Sequence, residues 1–372
     1  MNARAEANAV AEEAVLRAEA SPPPVALRAL VRLYGERGLL RYVTDARFGG
    51  ALERTSSLAL CAIRERLGYG SPLAELAFAM QGLGSYPMTY AANADAADGS
   101  LDLAQRYLPR VISGELVTAF ALTERNAGTD LSGITTSAAP NEDHYLIRGE
   151  KRWISNAGVA DLYVVFARTS NTPKRNLSAF VVEGGAPGLF VTPTPVLGGH
   201  PIGEVHFDGV PGRLLGEEGQ GLSIALATLA RFRPTVGAAA VGFAQRALDE
   251  SIAHVKTRHQ FGGPLADLPL VQARIGEMAC EVESARLLVE RAARIADGNH
   301  ERGAVSMSGS MAKLVATEAA QRVIDSAVQL HGGVGVHAET IVARLYEEVR
   351  ALRIYEGTND VQKLIIAREL LK

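Results

Sequence analysis

The chain has 372 residues, 47% of them hydrophobic and 6% aromatic, with a formal net charge of −3. That length accommodates two or three domains of roughly 100–200 residues each, and the apolar fraction allows a sizeable core. The slightly acidic balance, the scarce aromatics and the single Trp argue against a general nucleic-acid binder built on basic patches or stacking platforms.

Residues 5–19 read as a short helix closed by Ser21 and Pro22 to Pro24. A second helix spans 25–38 and stops at a glycine. Residues 52–67 and 72–80 are helical, with Gly68, Gly70, Gly82 and Gly84 as punctuation, and 100–112 is amphipathic. The first ~115 residues are thus an all-helical unit by period and breakers. From Val117 the pattern changes. Stretches 117–123, 145–154, 162–168, 177–182, 190–195 and 204–207 are strand-like, each bounded by Gly, Pro, Asn or Asp, and predict a small β domain. After a tight loop at 216–221 the chain reads helical to its end: 222–260 with a kink at Pro234, then 267–297, 304–330 and 341–355. The expected organisation is α+β, with an N-terminal helical domain over 1–115, a middle β domain over 116–215 and a C-terminal helical bundle over 216–372.

Cys61 and Cys280 each fall inside a helical pattern, which fits neither a disulfide framework nor a metal knuckle and suits a reducing cytoplasm. No apolar run approaches the ~20 residues that span a bilayer. Residues 1–19, rich in Ala and Glu, lack an apolar signal core. The expectation is a cytoplasmic protein with no membrane, nucleic-acid or metal partner.

The stretch Arg350-Ala-Leu-Arg-Ile-Tyr-Glu-Gly-Thr-Asn-Asp360 separates two helical patterns. Gly357 breaks the periodicity, and Asn359 is placed to cap the following helix, with Gln362 three residues on. Glu356 is therefore a carboxylate at a helix–helix junction, beside a glycine that permits close approach of a ligand. That suits a general base. Taken alone, the segment also reads as a solvated glutamate in a turn. No phosphate-binding loop is present, Gly332 to Gly335 has neither the spacing nor the preceding strand of a dinucleotide fingerprint, and His254 and His259 do not share a helical face.

Four blocks read together resemble the acyl-CoA dehydrogenase family: Phe120-Ala-Leu-Thr-Glu-Arg-Asn-Ala-Gly-Thr-Asp130, Lys151-Arg-Trp-Ile-Ser-Asn156, Arg258-His-Gln-Phe-Gly-Gly-Pro264, and Val328-Gln-Leu-His-Gly-Gly-Val-Gly335 followed by Arg353-Ile-Tyr-Glu-Gly-Thr-Asn-Asp360. Their order and spacing match the family over nearly the whole chain. The resemblance implies a helical domain, a β-barrel domain and a four-helix bundle, with FAD as cofactor. It places Phe120, Leu122 and Thr123 against the flavin, Thr123 at its pyrimidine edge, and Trp153 and Ser155 beside the ring. Arg258 and Phe261 resemble residues that reach the FAD of a neighbouring subunit, with Arg258 on the diphosphate. Gln329, Gly332 and Gly333 resemble a stretch cradling the adenosine end, and Thr358 and Asp360 resemble further FAD contacts. Thr129, Arg233 and Gly357 fall at substrate-binding positions.

The chemistry implied is removal of the α-proton of an acyl thioester by Glu356 and transfer of the β-hydride to the flavin, giving a trans-2-enoyl thioester. Some relatives place the base on the helix containing 229–233; here that position is Phe232, which leaves Glu356. A homodimer or homotetramer is implied, with an electron-transfer flavoprotein as electron acceptor. Departures cluster on the substrate side: Arg125 stands for a usual Pro, Thr129 for Ser and Ala230 for Asp, while Pro269 replaces a Gln that contacts FAD. These leave two handles open, CoA or the phosphopantetheine arm of an acyl carrier protein. A flavin-dependent oxidase or monooxygenase on the same fold is the alternative activity, and Glu356 argues against it.

Overall fold

A computed structural model describes residues 2–94, 98–170 and 176–372. Its contacts divide the chain into two compact units. One comprises Glu13–Ser56 and Leu76–Leu229; the other comprises Asn2–Glu12, Ser57–Glu75 and Ala230–Lys372.

The first unit combines α2 (Pro23–Glu36), most of α4 (Pro72–Asn93) and α5 (Asp98–Ile112) with a seven-stranded sheet. Its strands are β1 (Thr118–Ala121), β2 (Ser137–Asn141), β3 (His144–Ser155), β4 (Leu162–Arg168), β5 (Leu177–Glu183), β6 (Leu189–Pro193) and β7 (Ile202–Leu215). The order β1-β4-β2-β3-β7-β5 closes on itself through β4–β5 pairing, and β6 extends it from β7. Closure covers one face of β4 and β5 and the helices α4 and α5 cover the other, so both strands are buried almost throughout and read as continuous apolar runs rather than alternating ones. Val164, Phe166, Ala179 and Val181 from these strands join Met88, Leu103, Leu108 and Val111 of α4 and α5 in one core.

The second unit contains α3 (Ser57–Gly70), most of α6 (Gly221–Thr257), the two-residue strands β8 (His259–Gln260) and β9 (Gly263–Pro264), α7 (Pro269–Asp297), α8 (Arg302–His331), α9 (Ile341–Leu352) and α10 (Asn359–Leu370). Its core is rich in alanine: Ala239, Ala240, Ala292, Ala312 and Ala320 pack with Val282, Val323 and Leu345. Small residues set the approach of α6 to α8. A Cβ on Gly237 would stand 3.2 Å from the Ala312 carbonyl oxygen and 2.7 Å from Val289 Cγ2, and one on Gly309 would reach the Pro234 ring at 3.6 Å.

Several expectations need correction. Gly82 and Gly84 do not end a helix: α4 runs through both and through Pro87 to Asn93. Gly84 is needed for a close approach, since a Cβ there would meet Thr118 Oγ1 at 2.6 Å and Ala119 N at 3.0 Å. α6 continues through Pro234, where the kink was expected. Ser57 Oγ donates to the Arg231 carbonyl (2.9 Å) and Thr235 Oγ1 to that of Phe232 (2.7 Å), so hydroxyls satisfy backbone acceptors around the proline. Strand β2 was not predicted, and β7 is far longer than 204–207. α6 is also long and apolar enough to cross a membrane by length and composition alone, although no such run was expected. The apolar window is 72% buried inside the protein, as in a core helix.

Gly84→Val should lower thermal stability by about 1–3 kcal/mol through overpacking, read as a fall in Tm, whereas Gly84→Ala should cost less.

Candidate active site

Glu356 lies in the short segment between α9 and α10. The backbone turns back on itself there, with Ile354 and Tyr355 N–H donating to the Ala351 carbonyl (2.9 and 3.2 Å) and Asn359 N–H to that of Arg353 (3.0 Å). Glu356 and Gly357 both take left-handed backbone, φ 53 and 90. Such a conformation costs a non-glycine residue about 1–3 kcal/mol and persists only where surroundings enforce it. At Gly357 a Cβ would also collide with Gln362 Nε2 at 2.6 Å.

The enforcement comes from Lys313, a fully buried lysine on α8. Its Nζ donates to the Gly357 carbonyl (2.9 Å) and to Asn359 Oδ1 (2.8 Å). Gln362 Nε2 donates to the same carbonyl (2.9 Å). Asn359 Nδ2 donates on to Thr317 Oγ1 (2.9 Å) and Glu318 Oε1 (2.8 Å), and Arg353 Nε reaches the same Glu318 oxygen (2.9 Å). Asn359 therefore does not cap α10 as predicted. Its side chain is drawn into this network, and Thr358 caps instead, accepting from Val361 N–H at 3.4 Å.

The Glu356 side chain is 9% exposed, with Oε1 4.0 Å from Arg64 Nη1. Oε2 is buried without a hydrogen-bond partner. Burial pushes the carboxyl above its ordinary value; Arg64, Arg233 and Lys313 pull it back, and Glu75 adds to the upward push. Arg233, itself buried with an unpartnered Nε, has its cation disfavoured by burial and supported by Glu356. Burial brings Lys313 down to about 8 against the attraction of Glu356. What results is a buried carboxylate with one oxygen that no protein group engages, poised between opposing effects, which is an arrangement that suits a general base.

In the first unit, the predicted flavin-side residues come together at the end of β1. Phe120 packs on Phe166 (ring centroids 4.9 Å apart), and Leu122 is buried with its carbonyl accepting from Lys151 Nζ at 3.0 Å. The Thr123 carbonyl accepts from Arg152 N–H (2.8 Å), which brings β3 alongside. The β3–β7 register slips between Lys151 and Ile154, and within this bulge Trp153 has φ 57 and stands 50% exposed. A bulge re-aims a side chain; this one turns an indole outward beside Thr123, with Ser155 two residues on. Thr129 is exposed on the loop that follows, where Asp130 accepts from Ser132 N–H at 2.9 Å.

Of the remaining predicted cofactor residues, Arg258, Phe261, Gln329, Gly332 and Gly333 lie on two segments of the second unit joined by a ring contact. The His254 and His331 rings stack at 4.3 Å, which sets the β8–β9 hairpin segment of Arg258 and Phe261 close to the end of α8, where Gln329 lies on the helix and Gly332 and Gly333 follow it. Phe261 is 89% exposed, and Cβ atoms on Gly332 and Gly333 would meet nothing within 4 Å. Asp360 is exposed and pairs with Lys363 (3.1 Å), apart from the Glu356 network. Among the described residues no His, Cys, Asp and Glu cluster suits a metal ion.

Sequence reasoning missed Lys313, Arg64 and Glu75. A lone lysine amid Gly309, Ala312, Ala316 and Thr317 was the one visible signal. Arg64 and Glu75 lie on separate helices at no informative spacing.

Family models describing the acyl-CoA dehydrogenase middle domain and C-terminal domain match residues 119–210 and 219–371. Cyclohexane-1-carbonyl-CoA dehydrogenase of Geobacter metallireducens is 35% identical over 349 residues, covering 92% of this chain and 89% of that protein. The structure of butyryl-CoA dehydrogenase from Megasphaera elsdenii superposes with a TM-score of 0.89 at 29% identity, covering 100% of this chain and 99% of that one. An acyl-CoA dehydrogenase from Bacillus anthracis complexed with FAD gives 0.85 at 29% identity over 98% of this chain and 67% of that one. The chain belongs to the acyl-CoA dehydrogenase family. It is an oxidoreductase acting on CH–CH groups, and its cofactor is FAD. The residues present fit that cofactor: an outward indole suits a flat ring, exposed Arg258 suits a diphosphate, and the open backbone at Gly332 and Gly333 admits close approach.

Two outcomes are expected. Lys313→Met should cost about 1–3 kcal/mol by stranding buried acceptors and lower kcat with bound flavin retained, read by melting and absorbance. Glu124, buried against Lys151, is opposed by burial but held at about 2 by the Lys151 ammonium and by Thr136 and Thr135 donors. Because this lies below the unfolded value near 4.5, its contribution is complete above that value and is lost as pH falls toward 2. Glu124→Gln should therefore flatten the acid-unfolding curve within that window.

Proposed function

We propose that the protein catalyses α,β-dehydrogenation of an acyl thioester to the trans-2-enoyl thioester, with Glu356 as the base. The observation that carries this reading is the free Glu356 Oε2, buried on an enforced left-handed turn and offset by three cations. Glu356 Oε2 takes the α-proton. The Gly357 carbonyl of this segment is occupied by Lys313 and Gln362. An N–H donor from this segment then stabilises the developing enolate. When bound, FAD supplies the two-electron oxidant for the β-hydride. Thr123, Trp153 and Ser155 orient the ring from one unit, while Arg258, Phe261, Gln329, Gly332 and Gly333 form a second cofactor surface that serves a neighbouring subunit in a dimer or tetramer. Electrons then leave to an electron-transfer flavoprotein, in a cytoplasmic setting.

The acyl handle is CoA or a carrier protein's phosphopantetheine arm. Arg125 bears on this choice: it is more than half exposed and only loosely paired with Glu150 at 3.6 Å, so it remains available to a phosphate or an acidic helix.

Anaerobic titration of the flavoprotein with acyl thioesters on both handles is the test. A matching thioester should bleach the flavin in wild type, and Glu356→Gln should slow bleaching by about 10²–10⁴-fold. A flavin that no thioester reduces overturns the reading in favour of an oxygen-using activity.

A further inference from the structure

Beside Glu356 lies a buried ion pair whose geometry is fixed by its own partners. Arg64 on α3 and Glu75 in the first turn of α4 are each 3% exposed, and Arg64 Nε donates to Glu75 Oε1. Arg64 Nη1 donates to Thr235 Oγ1 at 2.6 Å and stands 4.0 Å from Glu356 Oε1. The guanidinium is not free to swing. Thr235 is itself committed to the Phe232 carbonyl at 2.7 Å. The start of α3 is pinned by Asp297, which accepts from Ser57 N–H (2.7 Å) and Leu58 N–H (3.0 Å) and pairs with Arg231 (2.7 Å).

The carboxylate's orientation follows from this fixed cation. Oε1 faces the guanidinium, and Oε2, its twin, is left buried and unpartnered. We propose that Arg64 is a positioning residue for proton abstraction: held by Glu75 and Thr235, it draws Oε1 toward itself, keeps the carboxylate ionised and leaves Oε2 as the basic atom. This rests on Glu356 being the base.

The charged and titratable groups facing Glu356 are Arg64 from α3, Glu75 from α4, Arg233 from α6, Lys313 from α8 and the adjoining Tyr355. After burial, which disfavours the anion, Arg64 is the foremost influence, and Glu75 works against it. An opposite charge at about 4–6 Å lowers a carboxyl pKa by about 1–3 units. Loss of Arg64 therefore raises the pKa of the base, and the acid limb of the rate moves to higher pH. Loss of the Glu75 charge moves it to lower pH. A merely structural pair does not give opposite signs.

The experiment uses the holoenzyme and two readouts: kcat/KM against pH, and exchange of the α-proton for deuterium in an acyl thioester analogue that has no transferable β-hydrogen. Arg64→Met should move the acid limb of both up by about 1–3 pH units, Arg64→Lys should restore most of the shift, and Glu75→Gln should move it down. Should Arg64→Met fail to fold because Glu75 is left unpaired, the double variant Arg64→Met/Glu75→Gln removes both charges and should still move the limb up. An unmoved limb, or shifts of the same sign in Arg64→Met and Glu75→Gln, overturns the proposal. Exchange that survives Glu356→Gln instead overturns the assignment of the base.

Discussion

The Lys313–Gly357 hydrogen bond is the constraint on which the site depends. A glutamate at φ 53 followed by a glycine at φ 90 is not a conformation that the local sequence would choose. It holds because a buried ammonium needs acceptors, and the acceptors within reach are the Gly357 carbonyl and Asn359 Oδ1. Leaving Lys313 unpaired would cost more than the strained turn. The small residues of α6 and α8 make the arrangement possible, because larger ones would hold the helices apart and leave the ammonium short of the turn.

The first unit solves a similar problem in the same way. Lys151, also fully buried and drawn down to about 8, donates to the Leu122 carbonyl and pairs with Glu124. Two residues on, Trp153 takes φ 57 within a strand bulge. In each unit a buried lysine holds a backbone carbonyl, and a positive-φ residue, Trp153 or Glu356, lies close by in sequence to the lysine or to that carbonyl. Glu124 is anchored in turn by Thr135 N–H (2.7 Å) and Thr136 N–H (3.1 Å), so the loop beyond β1 is tied to the same lysine.

Much of this architecture was legible in the sequence because burial imposes pattern. The 162–168 strand was read with its observed bounds, since a strand covered on both faces must be apolar throughout. The strand Ser137–Asn141 was not, because most of its residues are exposed and it exists by pairing with β3 rather than by its own composition. Gly84 misled for a related reason: glycine is read as a breaker, yet here it serves tertiary packing against Thr118. Glu356 was legible as a carboxylate at a break. The residues around it were not: Arg64, Glu75 and Lys313 lie far from Glu356 in sequence and are charged residues on otherwise buried helix faces, where a reading by period expects apolar ones.

The balance of charge explains why the controlling residues need to be many. Around Glu356 lie the cations of Arg64, Arg233 and Lys313, against the carboxylates of Glu75 and Glu356 itself. A bidentate partner at contact distance would hold Glu356 ionised but engage both of its oxygens. No partner at all would leave the carboxyl protonated by burial. Cations held near but not against the carboxylate, with the nearest at 4.0 Å and itself tied to Glu75, avoid both outcomes. The enforced turn keeps that separation: with Gly357 fixed from beneath, the Glu356 side chain cannot collapse onto Arg64, and Oε2 stays free.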